Sequence, residues 1–515
     1  MNGFKWQSKC NLIPSTSKIS SKSIVHITPG PLGNALFSNQ PVECFLLFFS
    51  SDLIAKIISH TNEEIVLQKQ KYAQNVQNKS IFQNINLNEF KGLLGILIAS
   101  AAMKNNHLNA VNLFDLSLCG YRYRSTMSLA RFNFIINCLR FDLKNTRDER
   151  KTITKFAPIS KTWDILMKSC QKWYKPGLYL TIDEQLVGFR GRCPFKMYIP
   201  SKPNKYGIKI IMMCDNSTKY MISAIPYCRK GTVPSNVSAS NYFVEQLVSS
   251  VNESNRNITM DNWFTNIPLT QKLLKDYKLT VIGTIKKNKR EFPVEFTDLK
   301  YSNRAVNTSL FLFSNNLTAV SYKTKPTKLV TLVSSLHSDD SMNETTKKPT
   351  IVMHCNETKG GVDSFDQMCH NMNAGRKTKR WPLCIFYNMI NIASINAYVI
   401  YIHNFYKNRK DATKPLSRFQ FMIRLQEQLA EDCMRSRLSN SKLPHNLKKN
   451  IEDCLGKKNV TQDQPTEEEL STKKRKVCSF CDYRKRRMTK SQCSTCQKHI
   501  CGEHQIIKCS HCNND

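Results

Sequence analysis

The sequence predicts an α/β core with a β-rich insertion, flanked by mainly helical segments and followed by a cysteine-rich module. Three observations predict it. Apolar residues recur at helical spacing before residue 178 and again beyond Gly361, but between Leu178 and Lys286 they gather into short runs that read as strands and helices. Residues 290–349 then turn rich in Thr, Ser and Val. Finally, the last 38 residues hold seven of the 20 cysteines at metal-ligand spacing.

Residues 1–40 are rich in Ser, Lys and Asn and read as a disordered tail without the apolar run of a secretory signal. Residues 41–177 are the first part of a helical domain, with helices expected over Cys44–His60, Leu87–Met103 and Ser128–Leu143. The core's first part covers 178–289. It opens with a buried strand, Leu178–Asp183, that ends in an acid. Tyr206–Cys214 and Tyr220–Tyr227 are two more strands, around a turn at Asp215-Asn-Ser-Thr. Asn241–Val251 is an amphipathic helix, Arg256–Met260 a short strand leading to Asp261, Leu269–Tyr277 a helix and Leu279–Lys286 a strand. The insertion, 290–349, carries strands at Phe311–Phe313, Leu317–Lys323 and Leu329–Ser335. Residues 350–372 complete the core, with helical character returning at Gly361. The helical domain's second part, 373–455, has helices at Trp381–Tyr406 and Leu416–Leu438. Residues 456–476 are a polar linker, acidic at Glu467–Glu469 and ending in Lys473-Lys474-Arg475-Lys476; the cysteine-rich module is 477–515.

Charge narrows the function. In 515 residues, 76 Lys and Arg face 39 Asp and Glu, a net +37. With 41% hydrophobic and 10% aromatic residues the chain folds, so this surplus calls for a polyanionic partner rather than marking disorder. A membrane surface fits poorly, because the longest apolar run, Leu383–Ile402, contains Asn388, Asn391, Ser394 and Asn396. Nucleic acid remains. The 13 cysteines outside the terminal module are scattered singly, which suits a reducing compartment.

Against so basic a background, acids in apolar company stand out. They occur in Thr181-Ile-Asp183-Glu-Gln, Met260-Asp261-Asn-Trp263-Phe264 and Gly360-Gly-Val-Asp363-Ser-Phe-Asp366-Gln. Acids at strand ends facing one sheet edge, with another on a later helix, suit an oxygen-ligand Mg²⁺ site for phosphoryl transfer. An acid after a strand also serves as a turn former or helix cap, and single motifs do not choose between these.

Ile182-Asp-Glu-Gln185, Phe189-Arg-Gly-Arg-Cys-Pro194, Lys202-Pro-Asn-Lys-Tyr-Gly207, Asp261-Asn-Trp-Phe-Thr265, Lys359-Gly-Gly-Val-Asp363 and Asp366-Gln-Met368 together resemble, in order, the signature set of the piggyBac transposase family. The resemblance runs from about Pro41 to Cys512. It implies an RNase H-like catalytic core whose DDD triad, carried over by motif, is Asp183, Asp261 and Asp363, holding two Mg²⁺. Asp366, one helical turn beyond Asp363, is expected to support the ligands rather than join them, and Glu184 to face the other way along its strand. The family nicks transposon ends, forms hairpins with the freed 3′-OH, and joins 3′-OH ends to TTAA sites, working on double-stranded DNA as a homodimer without a nucleotide cofactor.

Two basic clusters follow the second and third acids: Lys286, Lys289 and Arg290, then Arg376, Lys377, Lys379 and Arg380 with Trp381. Phosphate contacts are expected from both. Trp381 suits either stacking on an unpaired base or packing on the following helix, and Arg190 and Arg192 either a phosphate or a solvated turn.

The terminal module reads Cys478-x2-Cys481-x11-Cys493-x2-Cys496-x4-Cys501-x2-His504-x4-Cys509-x2-Cys512, enough ligands for two structural Zn²⁺ ions. Interleaving would place Cys478, Cys481, Cys501 and His504 on one ion and Cys493, Cys496, Cys509 and Cys512 on the other, a cross-braced arrangement. The family uses such a module to recognise terminal inverted repeats, and Arg484, Lys485, Arg486 and Arg487 supply basic residues for it. A protein-binding zinc module shares the pattern but accounts for the last 40 or so residues alone. Lys473, Lys474, Arg475 and Lys476 suit a nuclear import signal, which would make the protein nuclear, or a further DNA contact, and the two are compatible. The alternative to an active transposase is a domesticated DNA-binding derivative; loss of a triad acid would favour that, and all three acids are present.

Overall fold

The computed structural model describes residues 4–9, 27–72, 79–200, 202–229, 233–234, 236–301, 304–409, 412–456, 475–482, 484–492 and 498–505. The chain divides into two units, residues 1–455 and 456–515.

A nine-stranded mixed sheet organises the larger unit. Strand Tyr179–Gly188 lies antiparallel to Tyr206–Asp215 and parallel to Asn257–Met260, which is in turn parallel to Thr280–Thr284. Tyr206–Asp215 is nearly continuously buried, the pattern of a strand covered on both faces. Helix Gly361–Asn371 covers one part of it, and helix Ala239–Val248 packs on it and on Met221–Pro226. The insertion's strands are present, at Ser309–Ser314, Leu317–Lys325 and Lys328–Ser334, but they are not a separate β piece. Lys328–Ser334 pairs with Thr280–Thr284, so the insertion extends the core sheet and covers what would otherwise be an open edge.

Four expectations are corrected. Strand Tyr179–Gly188 does not stop at Asp183; it continues for five residues, paired with Tyr206–Asp215 alone. The expected helix over Cys44–His60 is two, Pro41–Leu46 and Ser51–Tyr72, because the chain turns between them to bury Phe48 and Phe49. Helix Thr350–Thr358 precedes Gly361, hidden in sequence by its β-branched start, Thr350-Ile-Val. Nor are residues 4–9 and 27–40 simply a tail; the rest of that expected tail, residues 1–3 and 10–26, lies outside the described residues. Gly30–Pro31 pairs with Tyr174–Lys175, Ala35 is fully buried, and residues 4–9 dock on the sheet's far edge.

The long helix Trp381–Asn408 is the one described helix apolar and long enough to cross a membrane, yet 89% of its most apolar window is buried within the fold. Its asparagines explain its place. Asn388 Nδ2 donates to Gln185 Oε1, Asn396 exchanges two bonds with the Met221 backbone, and Asn404 Nδ2 donates to Ala35 O and Ser38 O. Each buried amide therefore ties the helix to a named strand or loop.

Candidate active site

Parallel pairing brings the strands' carboxyl ends to one edge, where α/β sheets leave a crevice. Ile182 lies opposite Met260, so Asp183 and Asp261 are the next residues of neighbouring strands. Asp183 sits where its strand loses the partner on that side, which is why an acid in mid-strand still reaches the edge. Asp261 is exposed and accepts from Thr284 Oγ1 at 3.0 Å. Its carbonyl accepts from Phe264 N and Thr265 N, and Thr265 fits against Gly283, where a Cβ would collide with its side chain.

The third acid is brought in by a helix pinned beneath the same strands. Thr181 Oγ1 donates to Thr358 O at 2.6 Å, and Thr259 Oγ1 and Thr358 Oγ1 are 2.7 Å apart. Gly361 lets the next helix start against the sheet, since a Cβ there would meet Thr181 Oγ1 at 2.5 Å. Asp363, exposed in that helix's first turn, has Lys202 Nζ 3.9 Å from its Oδ1. Lys202 also donates to Glu184 O. Burial first, then the charges of Glu184 and Asp363, push the Asp183 carboxyl up to about 8 against the pull of the Glu184 amide and Lys202.

Asp366 is occupied elsewhere. Gln185 Nε2 donates to it at 2.8 Å and His370 Nε2 lies 3.6 Å away, a contact that raises the His370 pKa. Glu184 faces away from Asp183, 3.7 Å from Lys209, whose ammonium lies 4.3 Å over the Trp263 ring.

Of the basic residues, Lys286, Lys289 and Arg290 lie just past strand Thr280–Thr284, at the edge occupied by Asp261. Beyond Gln185, a cleft of about 1190 Å³ is lined by Arg190, Arg192, Lys196, Lys205, Lys377 and Lys379, with Asp366 the one carboxylate on its wall. Arg376 and Arg380, expected at DNA, also make internal bonds, and Arg376 does so while lining the cleft. Arg376 Nη2 donates to Leu108 O and its guanidinium lies over Phe132. Arg380 donates to the carbonyls of Ile136, Asn137 and Leu139, capping helix Leu129–Cys138 where carbonyls have no partner within the helix. Trp381 is packed edge-on to Phe195 at 5.0 Å and against Phe156 at 5.7 Å, the packing alternative rather than a free stacking platform. Arg380→Ala is expected to cost about 2–3 kcal/mol, the scale of hydrogen bonds from a charged group. Lys377→Ala and Lys379→Ala should leave urea denaturation midpoints unchanged.

In the smaller unit, Cys478, Cys481, Cys501 and His504 bring their ligand atoms within 4.8 Å of one another, as interleaving predicts. Cys481 and Cys501 Sγ are 3.5 Å apart, and His504 Nδ1 lies 3.6, 3.7 and 3.3 Å from Cys478, Cys481 and Cys501. Tetrahedral zinc, at about 2.3 Å from sulfur and about 2.0–2.1 Å from nitrogen, needs ligands roughly 3.5–3.8 Å apart, so the set fits. Cys493, Cys496, Cys509 and Cys512 lie outside the described residues, as do Lys473 and Lys474. Arg475, Lys476, Arg484, Lys485, Arg486 and Arg487 are exposed, and Arg487 pairs with Glu503.

A family model described as Transposase IS4 matches residues 40–398. The structure is similar to a solved piggyBac transposase in a synaptic complex with hairpin DNA, at a TM-score of 0.81 and 46% identity, covering 94% of this chain and 100% of that one. The chain belongs to the piggyBac transposase family. The human PiggyBac transposable element-derived protein 3 is a more distant relative, 22% identical over 372 residues; the match spans 68% of this chain and 60% of that protein. All three acids fall inside the residues matched by the transposase model, and the Cys–His cluster falls outside them. Within this family frame, sequence reasoning missed Lys202, Gln185 and Asn388. The first two stand in motifs that carry the piggyBac resemblance, and Asn388 was noted only as a polar break in an apolar run.

Proposed function

We propose that the protein is a cut-and-paste DNA transposase that excises an element through hairpin ends and joins its 3′-OH ends to TTAA sites. The observation that carries this is the convergence of Asp183, Asp261 and Asp363 on one sheet edge, beside basic loop 286–290 and near a cation-lined cleft that reaches Gln185 and Asp366, in a piggyBac family chain. The core is read as RNase H-like, with the three acids holding two Mg²⁺. Carboxylates without nitrogen or sulfur suit a hard cation that completes its shell with water and phosphate. Held by these acids, such ions would supply activation of the attacking oxygen and stabilisation of the leaving oxygen in in-line transfer.

The chain's own groups orient the substrate. Lys202 presents an ammonium beside Asp363 for a phosphate oxygen, and Asp366, tied to Gln185, keeps the Asp363 helix in register. Lys286, Lys289 and Arg290 grip phosphates at the Asp261 edge, and Arg190, Arg192, Lys377 and Lys379 do so along the cleft, positioning DNA without reading its sequence. The relative solved with hairpin DNA supports the hairpin step. Helical regions 41–177 and 373–455 form the dimerisation and DNA-binding domain of a homodimer. The cysteine-rich module, with two structural Zn²⁺, reads the terminal inverted repeats, and residues 473–476 direct the protein to the nucleus. No nucleotide cofactor is required. Incubated with Mg²⁺ and a plasmid carrying the element's own ends, the protein should release a linear fragment with hairpin termini. An uncut plasmid would refute the reading.

A further inference from the structure

The basic loop beside Asp261 is anchored by a distant piece of chain. Trp6 Nε1 donates to Glu291 O at 2.7 Å, and its ring stacks on Phe292 with centroids 5.1 Å apart and planes 25° from parallel. Phe4 packs on Trp6 at 4.9 Å. Gln7 then exchanges two backbone hydrogen bonds of 2.8 Å with Phe313, on the edge strand of the sheet, adding a single rung to it. Phe4 and Trp6 together cover an apolar cluster that includes Ile267, Ile285, Phe292 and Phe296. Ile267 opens the helix that follows the Asp261 motif. Ile285 and Phe292 bracket the Lys286–Arg290 loop, whose Lys286, Lys287, Asn288 and Arg290 are exposed.

The loop itself is short of internal support. Its backbone is held by Ile285 N to Thr331 O on one side and Phe292 N to Lys289 O on the other. Glu291 O, two carbonyls further on, is satisfied by the Trp6 indole. Thus two aromatic residues 280 or more positions upstream seal the floor under the five residues that carry four cations.

We propose that residues 4–7 are a strap that sets the position of the Lys286–Arg290 loop, making Trp6 a positioning residue for the grip on DNA phosphate beside Asp261. This rests on the reading of the loop as a phosphate contact. Trp6 touches neither DNA nor the acids; it acts by fixing where the cations stand. An ordered loop loses less conformational freedom when it engages a phosphate, so removing the strap weakens those contacts while leaving the sheet edge intact.

The test uses the full chain as wild type, Trp6→Ala, Trp6→Phe, and the pair Lys286→Ala/Lys289→Ala, alone and combined with Trp6→Ala. Hydrogen exchange and the salt dependence of binding to a duplex with the element's ends are the readouts. Trp6→Ala should speed exchange across residues 286–292 at least tenfold, leaving 179–183 and 257–260 unchanged. It should lower the slope of log affinity against log salt by about 1–2, since each phosphate contact contributes roughly 0.9. Trp6→Phe keeps the stacking and loses the N–H donor, so it should recover part of both effects. Combined with the lysine pair, Trp6→Ala should add no more than the loss of the remaining loop cations, so the combined loss falls short of the sum of the two. Unchanged exchange in 286–292 overturns the strap. Faster exchange with a wild-type salt slope, where the lysine pair does lower it, overturns the positioning role and leaves the DNA reading standing. A slope unchanged by the lysine pair itself overturns the DNA reading of the loop, and the positioning role with it.

Discussion

Asp261→Asn is expected to reduce excision by at least about 10³-fold, equivalent to about 4 kcal/mol of transition-state stabilisation, while binding to the element's ends stays within a few-fold of wild type. The amide keeps the shape of the side chain and an oxygen to accept from Thr284 Oγ1, so the loop that begins at Asp261 keeps its support. Only the charge that would hold a metal ion is lost. Asp363→Asn should behave in the same way, as Asp363 is exposed in the first turn of its helix and carries no buried structural bond. Asp183→Asn should lose excision equally and add a signature of its own in metal-free protein. With its folded pKa raised to about 8, from about 3.9 in the unfolded chain, Asp183 binds more protons folded than unfolded over that interval. Its stability contribution is therefore complete below about pH 4 and declines as pH rises through 8. Asp183→Asn should flatten that part of the stability profile, so that in chelator at pH 8 the variant melts at or above wild type. Thermal melts against pH in chelator, beside an excision assay in Mg²⁺, check both halves. Near-wild-type excision by any of the three variants would mean the acids are misassigned.

The sheet was legible because its strands are short apolar runs punctuated by turn residues, and the order of elements in 178–289 is as read. Asp183 shows where such reading stops. Its position relative to Asp261 depends on the register Ile182 to Met260, and no local pattern states which residue of one parallel strand faces which of another. The basic residues show the limit more sharply. Arg376, Lys377, Lys379 and Arg380 look alike in sequence, yet the two lysines line the cleft, Arg376 binds Leu108 O while lining it, and Arg380 is spent on carbonyls at the end of helix Leu129–Cys138. Their partners lie more than 240 positions away, and a backbone carbonyl without a partner carries no side-chain signature. The attachment of residues 27–40 was hidden for the same reason. Asn404 binds the carbonyls of Ala35 and Ser38, which a Ser-, Lys- and Asn-rich composition does not reveal. By contrast, the cluster of Cys478, Cys481, Cys501 and His504 was readable from spacing, because tetrahedral coordination constrains both residue type and separation.

Cys481→Ser is expected to unfold the cysteine-rich unit while leaving the larger unit's melting transition in place. Among the described residues of the smaller unit, Cys478 and Cys501 are the buried apolar side chains, and Val477, Phe480 and Met488 are exposed. Burial of that extent cannot offset the conformational entropy of ordering the segment, whereas structural zinc contributes on the order of 10–16 kcal/mol of apparent binding free energy. Several of the described hydrogen bonds, Cys478 N to Arg487 O, Ser479 N to His499 O, His504 N to Cys501 O and Cys501 N to Cys478 Sγ, are made at or beside the ligands. Residues 41–455 have their own core, so removing the metal should not reach them. Elemental analysis should return two zinc ions per wild-type chain and at most one for Cys481→Ser. Preference for the element's ends over random duplex should fall by at least about 10²-fold in the variant, while salt-sensitive binding to any duplex persists through the cations of the larger unit. Protein carrying no zinc yet showing full end preference would overturn both the metal assignment and the recognition role. Two ions in wild type with end preference untouched by Cys481→Ser would keep the metal and remove the role.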